Sequence, residues 1–104
     1  MAVTSKALFR GAASTSNTTL YTVPNTSTAT IVTNIAVTNT ATSAATFTIN
    51  LDSVAVVSGA SLSANAVTTF DIKQVLPADA SPKTVSGSAS ATTVNFHISG
   101  VEVS

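Results

Sequence analysis

Charge is what this sequence has least of. Only 8% of its 104 residues are Asp, Glu, Lys or Arg, against about 25% in an average soluble domain. The four cations, Lys6, Arg10, Lys73 and Lys83, are scattered, and the net charge is zero. Nucleic-acid binding rests on a basic patch or stripe, and none is present. Cysteine is absent, which excludes a disulfide framework, a thiolate metal site and a cysteine nucleophile. Tryptophan is also absent and aromatics make up only 5%, a poor supply for platforms that stack sugars or single-stranded nucleic acid. No stretch approaches the roughly 18 consecutive apolar residues of a membrane span. The N-terminal MAVTSKALFRGAASTS has early cations but no apolar run after them, so the expectation is folding without secretion.

The groups that could do chemistry are few. The carboxylates are Asp52, Asp71, Asp79 and Glu102, and no spacing among them predicts the paired environments that acid–base catalysis needs. His97 is the only histidine; with no cysteine and few acids near it in sequence it is a poor metal ligand and reads as a surface or interface imidazole. Serine is abundant, but no Gly-x-Ser-x-Gly elbow exists, and SGSAS and VSGAS lack the lysine of a phosphate loop. These absences set the expectation of no enzyme activity, no cofactor, no metal and no small-molecule substrate.

What is present is hydroxyl, amide and β-branched carbon. TATIVTNIAVTNTATSAATFTINLD, residues 28–52, contains no cation and a single acid at its last position. Mean hydropathy is positive at +0.44, and the apolar residues recur with period two, which argues against disorder. In ATFTINLD, Phe47, Ile49 and Leu51 alternate with Thr46, Thr48 and Asn50. In TTVNFHISGVEV, Val94, Phe96 and Ile98 alternate with Asn95, His97 and Ser99. The phase then slips at Gly100, which predicts a bulge there, with Val101 and Val103 turned inward and Glu102 outward. Residues 29–39 place Ile31, Thr33, Ile35 and Val37 on one face, and both faces are partly apolar, as in a central strand. VTTFDIKQ points Phe70 and Ile72 inward. TLYTVP is a short strand stopped by Pro24, SVAVVSG reads as the return arm of a hairpin, and KTVSGSAS is weaker. Turns are expected at Pro24-Asn25, Asn39–Ala44, Gly59–Asn65, Pro77–Pro82 and Gly87–Ala91.

Short strands at intervals of about eight to twelve residues are the signature of a sandwich or barrel. The predicted fold is all-β: one antiparallel β-sandwich, Ig-like or jelly-roll-like, with seven or eight short strands. Residues 1–13 form an N-terminal arm or edge strand, and 14–104 form the sandwich. The expected core is Ile31, Ile35, Val37, Phe47, Ile49, Leu51, Phe70, Ile72, Val94, Phe96 and Ile98. Aromatics and Arg are the usual contact anchors, so Val3, Leu8, Phe9, Arg10 and Tyr21 are the candidate partner-binding residues, with packing the competing role for Phe9 and Tyr21. A near-neutral, hydroxyl-rich surface suits a protein that works in an assembly.

The stretch LYTVPNTSTATIVTNIAVTNTATSAATFTINLD, followed by LSANAVTTFDI and the closing VNFHISGVEVS, resembles small all-β virion structural proteins of tailed phages. The shared pattern is Leu-Tyr-x-Val-Pro, a short turn, an extended Thr/Val/Ile strand, then Asn-Thr and small residues before another Thr/Val strand. It covers residues 20–104. Asn25 departs from it, since relatives often have Ala-Gly after the proline, although Asn serves the same turn. The resemblance implies a virion structural protein made in the host cytoplasm and located in the virion. The capsid surface, as a decoration or cement protein, is its first implication, and a tail or fibre module with host-surface adhesion is the alternative. It implies the major capsid protein or other virion proteins as partners, together with self-association (a trimer is one candidate form), and no nucleic acid or membrane. It carries no catalytic residues. On this reading the arm would add to strand edges of a neighbour, and deleting residues 2–10 would leave the sandwich folded.

Overall fold

Thr, Val and Ile branch at Cβ and favour extended backbone, and the alternating segments are strands throughout. The computed structural model describes residues 2–104. The strands are β1 (Val3–Ala12), β2 (Thr18–Thr22), β3 (Ala29–Asn39), β4 (Ala45–Leu51), β5 (Val54–Leu62), β6 (Val67–Leu76), β7 (Thr84–Ala89) and β8 (Val94–Val103). They make two four-stranded sheets in the orders β1-β8-β3-β6 and β2-β7-β4-β5, and every pairing is antiparallel. Eight strands shared between two sheets in this order form a jelly roll. Of the two sandwiches left open by the sequence, this one is realised. Residues 3–12 pair along β8 as an edge strand of the sandwich.

Facing side chains of the two sheets fill the core. Phe47 of β4 lies between Phe70 of β6 and Phe96 of β8, with ring centroids 6.2 Å apart in both pairs. Ile35, Ile49, Val37, Val85, Val94 and Ile98 surround them, all essentially inaccessible to solvent. Phe70 and Ile72 point inward as expected but are only partly covered, because β6 is an edge strand with nothing packed beyond it. Leu8, Val23, Leu62, Leu76 and Val85 join the core beyond the expected set.

Two expectations fail at one place. Thr33 is an extra residue in β3: Val32 pairs with Gly100 and Asn34 with Ser99. The inward set of β3 is therefore Thr28, Thr30 and Val32 before the bulge and Ile35, Val37 and Asn39 after it, which turns Ile31 to the outside. Leu8 is a matching extra residue in β1, where Ala7 pairs with Ser99 and Phe9 with Ile98. The irregularity foreseen at Gly100 thus lies on both neighbours of β8 and not in β8 itself. β8 keeps its alternation, so Gly100 and Glu102 face inward and Val101 and Val103 face outward. Glycine at 100 answers a close approach: a Cβ there would meet the carbonyl oxygen of Ile31 and lie 2.8 Å from Leu8 Cδ1.

The strand with the weakest sequence signal, β7, is central in its sheet. At its Gly87 a Cβ would stand 2.8 Å from the Thr48 carbonyl oxygen and 3.4 Å from the Phe96 ring, so small residues here reflect tight packing and not a turn. β5 likewise runs through Gly59 to Leu62, and the expected turn shrinks to the residues after it. The β4–β5 hairpin closes on Asp52 and Ser53 with φ of 54° and 62°, the paired positive values of a type I′ turn.

Each end of the sandwich is closed by a polar side chain. At one end Asn39, 2% exposed, donates from Nδ2 to the carbonyls of Ser43 (2.9 Å), Leu62 (3.3 Å) and Ser63 (3.3 Å). Its Oδ1 accepts from the Ala41 amide at 3.1 Å and the Thr93 hydroxyl at 3.2 Å. One side chain therefore ties together the β3–β4, β5–β6 and β7–β8 loops. At the other end Tyr21, on β2, reaches across the core to the opposite sheet.

Candidate functional site

The chemistry-bearing groups are held apart and most are already partnered. Tyr21 is 8% exposed. Its hydroxyl donates to Glu102 Oε2 at 2.5 Å and lies 2.8 Å from Thr30 Oγ1. Lys6 completes the group, its Nζ 3.3 Å from Glu102 Oε2. Burial and the adjacent Glu102 carboxylate push the Tyr21 phenol up to about 12, since both disfavour a phenolate. Glu102 was expected on the outside; it is instead the acceptor of an inter-sheet tie. Lys83 bridges Asp79 at 3.1 Å and Asp52 at 3.6 Å, which anchors the β6–β7 loop to the β4–β5 hairpin. The hydrogen bond from Lys83 holds the Asp79 carboxyl below the usual carboxylate range, and the same bond raises the Lys83 ammonium. Asp71 accepts from Asn34 Nδ2 at 2.9 Å. Among the described residues no three His, Asp or Glu side chains gather at a metal-binding distance.

The two outer faces differ. On β2-β7-β4-β5 the outward positions are Thr46, Thr48, Asn50, Thr84, Ser86 and Ser88, with Thr48 opposite Ser88 and Asn50 opposite Ser86. Along β4 and β7 this face is hydroxyl and amide; edge strand β5 adds Ala55, opposite Asn50, and exposes Val54 and Val56. On β1-β8-β3-β6 the register lines up Val3, Val103 and Ala29 in one row. The next row is Ser5, Val101, Ile31 and Val75. Val3 and Val75 are 66% and 58% exposed, so the rows form an apolar strip open to solvent. Further along, Arg10 stands opposite His97, which stands opposite Ala36. Between strip and arginine lies a shallow open groove of about 410 Å³, lined by Ser5, Lys6, Ala7, Arg10, Thr33, Ser99, Gly100 and Val101. The paired bulges at Leu8 and Thr33 create it, by bending both strands that flank β8.

Of the candidate contact residues, Val3 and Arg10 lie on this face. Leu8 and Tyr21 are buried and Phe9 packs against the core, so these three serve the fold rather than a contact surface. In a bulge two consecutive residues share one side of the sheet, which is why Leu8 and Phe9 both point inward. Sequence reasoning missed Ile31, Val75, Val101 and Val103 as outward residues. The available signal was the two-sided apolar character of residues 29–39.

No protein-family model matches the chain, and no curated protein does. Solved structures do. A chain of infectious bursal disease virus, Gx strain, matches with a TM-score of 0.55 and 15% identity, covering 97% of this chain and 30% of its own. A chain of the T13 particle of the same virus gives 0.55 and 11%, with 97% and 30% covered. The Gt strain gives 0.50 and 13%, with 97% and 32% covered. The likeness is one of fold. This jelly roll spans about a third of the length of the virus chains that share it.

Proposed function

We propose that this chain is a virion structural protein, acting as a capsid decoration or cement module that binds other virion proteins by surface fit and performs no catalysis. The observation that supports this reading most is the agreement in fold, over 97% of the chain, with jelly rolls of icosahedral virus particles. A fold alone does not assign a function, but three features of this molecule agree with the reading. Its acids are tied up in structural bonds, its surface is nearly uncharged, and one sheet face exposes apolar side chains.

The N-terminal segment is built into the sheet and is not a free arm for strand addition. β1 contributes Leu8 to the core and pairs with β8 from Val3 to Ala12, so removing residues 2–10 would uncover β8 and unfold the sheet. Attachment is better assigned to a face. The test is electron cryo-microscopy of particles of the virus that encodes the chain. Density repeated over the shell is the expected result. Density confined to the tail would transfer the protein to the tail or fibre role, and absence from particles would overturn the virion reading.

A further inference from the structure

We infer that the groove beside Arg10 is a docking site for an acidic side chain of a partner protein, whose apolar neighbours rest on the Val101–Ile31–Val75 strip. The inference deepens the virion reading and rests on it for the partner's identity, but its chemistry stands on the surface itself.

Arg10 is the only arginine, and it has no ion pair among the described residues, whereas Lys6 and Lys83 both have one. A guanidinium presents a planar fork of donors that matches a carboxylate in two parallel hydrogen bonds. Around it the groove adds the Ser5 and Ser99 side chains. The Thr33 hydroxyl is already committed to the Ser99 carbonyl at 3.2 Å and holds the floor in place. The apolar strip begins at Val101, which itself lines the groove, so a carboxylate and an adjacent aliphatic side chain can be met together.

Two further observations select the occupant. First, every edge strand carries a register irregularity: β1 at Leu8, β2 at Leu20, β5 twice and β6 opposite Thr33. Bulged edges resist strand addition, which leaves the faces as docking surfaces. Second, the charges on this face are Arg10 and Lys73 against Asp71 alone, and Asp71 is bonded to Asn34. In a second copy of this chain every side-chain carboxylate already has a partner: Glu102 has Tyr21 and Lys6, Asp52 and Asp79 have Lys83, and Asp71 has Asn34. An acid from a different protein displaces no such partner, so it is the assigned occupant.

The experiment is a two-dimensional amide NMR titration of the full chain with two capped tripeptides, acetyl-Val-Glu-Val-amide and acetyl-Val-Gln-Val-amide, at constant ionic strength. The glutamate peptide is expected to move the amides of Ser5, Ala7, Arg10, Ser99 and Val101. The glutamine peptide should bind at least about tenfold more weakly, the loss of one charge-assisted contact. R10Q should erase that difference while leaving the rest of the spectrum in place, and R10K should keep only part of it. Equal responses to both peptides, shifts centred elsewhere, or no shift up to roughly 10 mM peptide would overturn the inference. So would concentration-dependent shifts of this face without peptide, since the occupant would then be a second copy. Particles are not involved, so a groove that binds while the chain is absent from virions sinks only the virion reading. A chain found on the shell with a silent groove sinks only this one.

Discussion

Tyr21 is the only tyrosine, and the chain has no tryptophan, so phenolate absorbance reads one group with no background. In the fold its phenol is raised from 10.0 to about 12 by burial and by Glu102. A group whose folded value exceeds its unfolded value stabilises the fold fully below the unfolded value. Here that contribution is intact below pH about 10 and disappears as pH rises toward 12. An alkaline titration followed by absorbance, with circular dichroism in parallel, should show the phenolate forming well above pH 10 while the sheet signal persists. Ionisation near 10 in a folded protein would mean that Tyr21 is not inserted between the sheets. Asn39 makes a second residue-level case. Asn39→Ala strips partners from several buried carbonyls and amides at once, and each unsatisfied group costs about 1–3 kcal/mol. The substitution should lower the urea midpoint more than any exposed Asn substitution, such as Asn25→Ala. Equal effects would show that the loops at that end hold together without it.

At the scale of elements, the strands were legible because alternation is a local property, whereas their phase was not. The expected inward set was right for β4, where Phe47, Ile49 and Leu51 are all buried. It failed on β3 at Ile31 and on β8 at Glu102, because the bulges at Leu8 and Thr33 arise where three strands meet. No single segment reports its neighbour's register. The groove was illegible for the same reason, since its lining comes from β1, β3 and β8 and only Arg10 stood out alone. Asn39 read as a turn residue because its role depends on three loops converging. A register shift also guards the exposed edge β6, opposite Thr33. The outward side chains of edge strand β6 include Asp71 and Lys73, and charged residues and bulges both discourage pairing between edges. Asp71→Val with Lys73→Val should leave the fold intact, because both side chains point to solvent, and should produce concentration-dependent light scattering. A double variant that remains as dispersed as the parent would show that the bulge alone protects this edge.

At the scale of the whole molecule, the low charge divides stability from recognition. The sandwich measures 46 × 22 × 18 Å, and its cohesion comes from the Phe47–Phe70–Phe96 cluster and the aliphatic residues around it, together with the end ties at Asn39 and Tyr21. Screening by salt acts on exposed charges and hardly on apolar contacts. The ion pairs are few, and those of Lys83 lie at the surface. Raising sodium chloride from roughly 20 to 500 mM should therefore move the thermal midpoint by less than about 3 °C, a small shift for a domain of this size. Binding through Arg10 depends on an exposed charge and should weaken over the same range, so the glutamate peptide's affinity would fall while the melting curve stays put. A large drop in midpoint would point to the surface pairs of Lys83, because the Lys6–Glu102 pair, whose acid has a side-chain exposure of 15%, is screened less. Lys83→Met would settle the assignment: it should abolish the salt dependence if those pairs are the source and leave it unchanged if Lys6–Glu102 is.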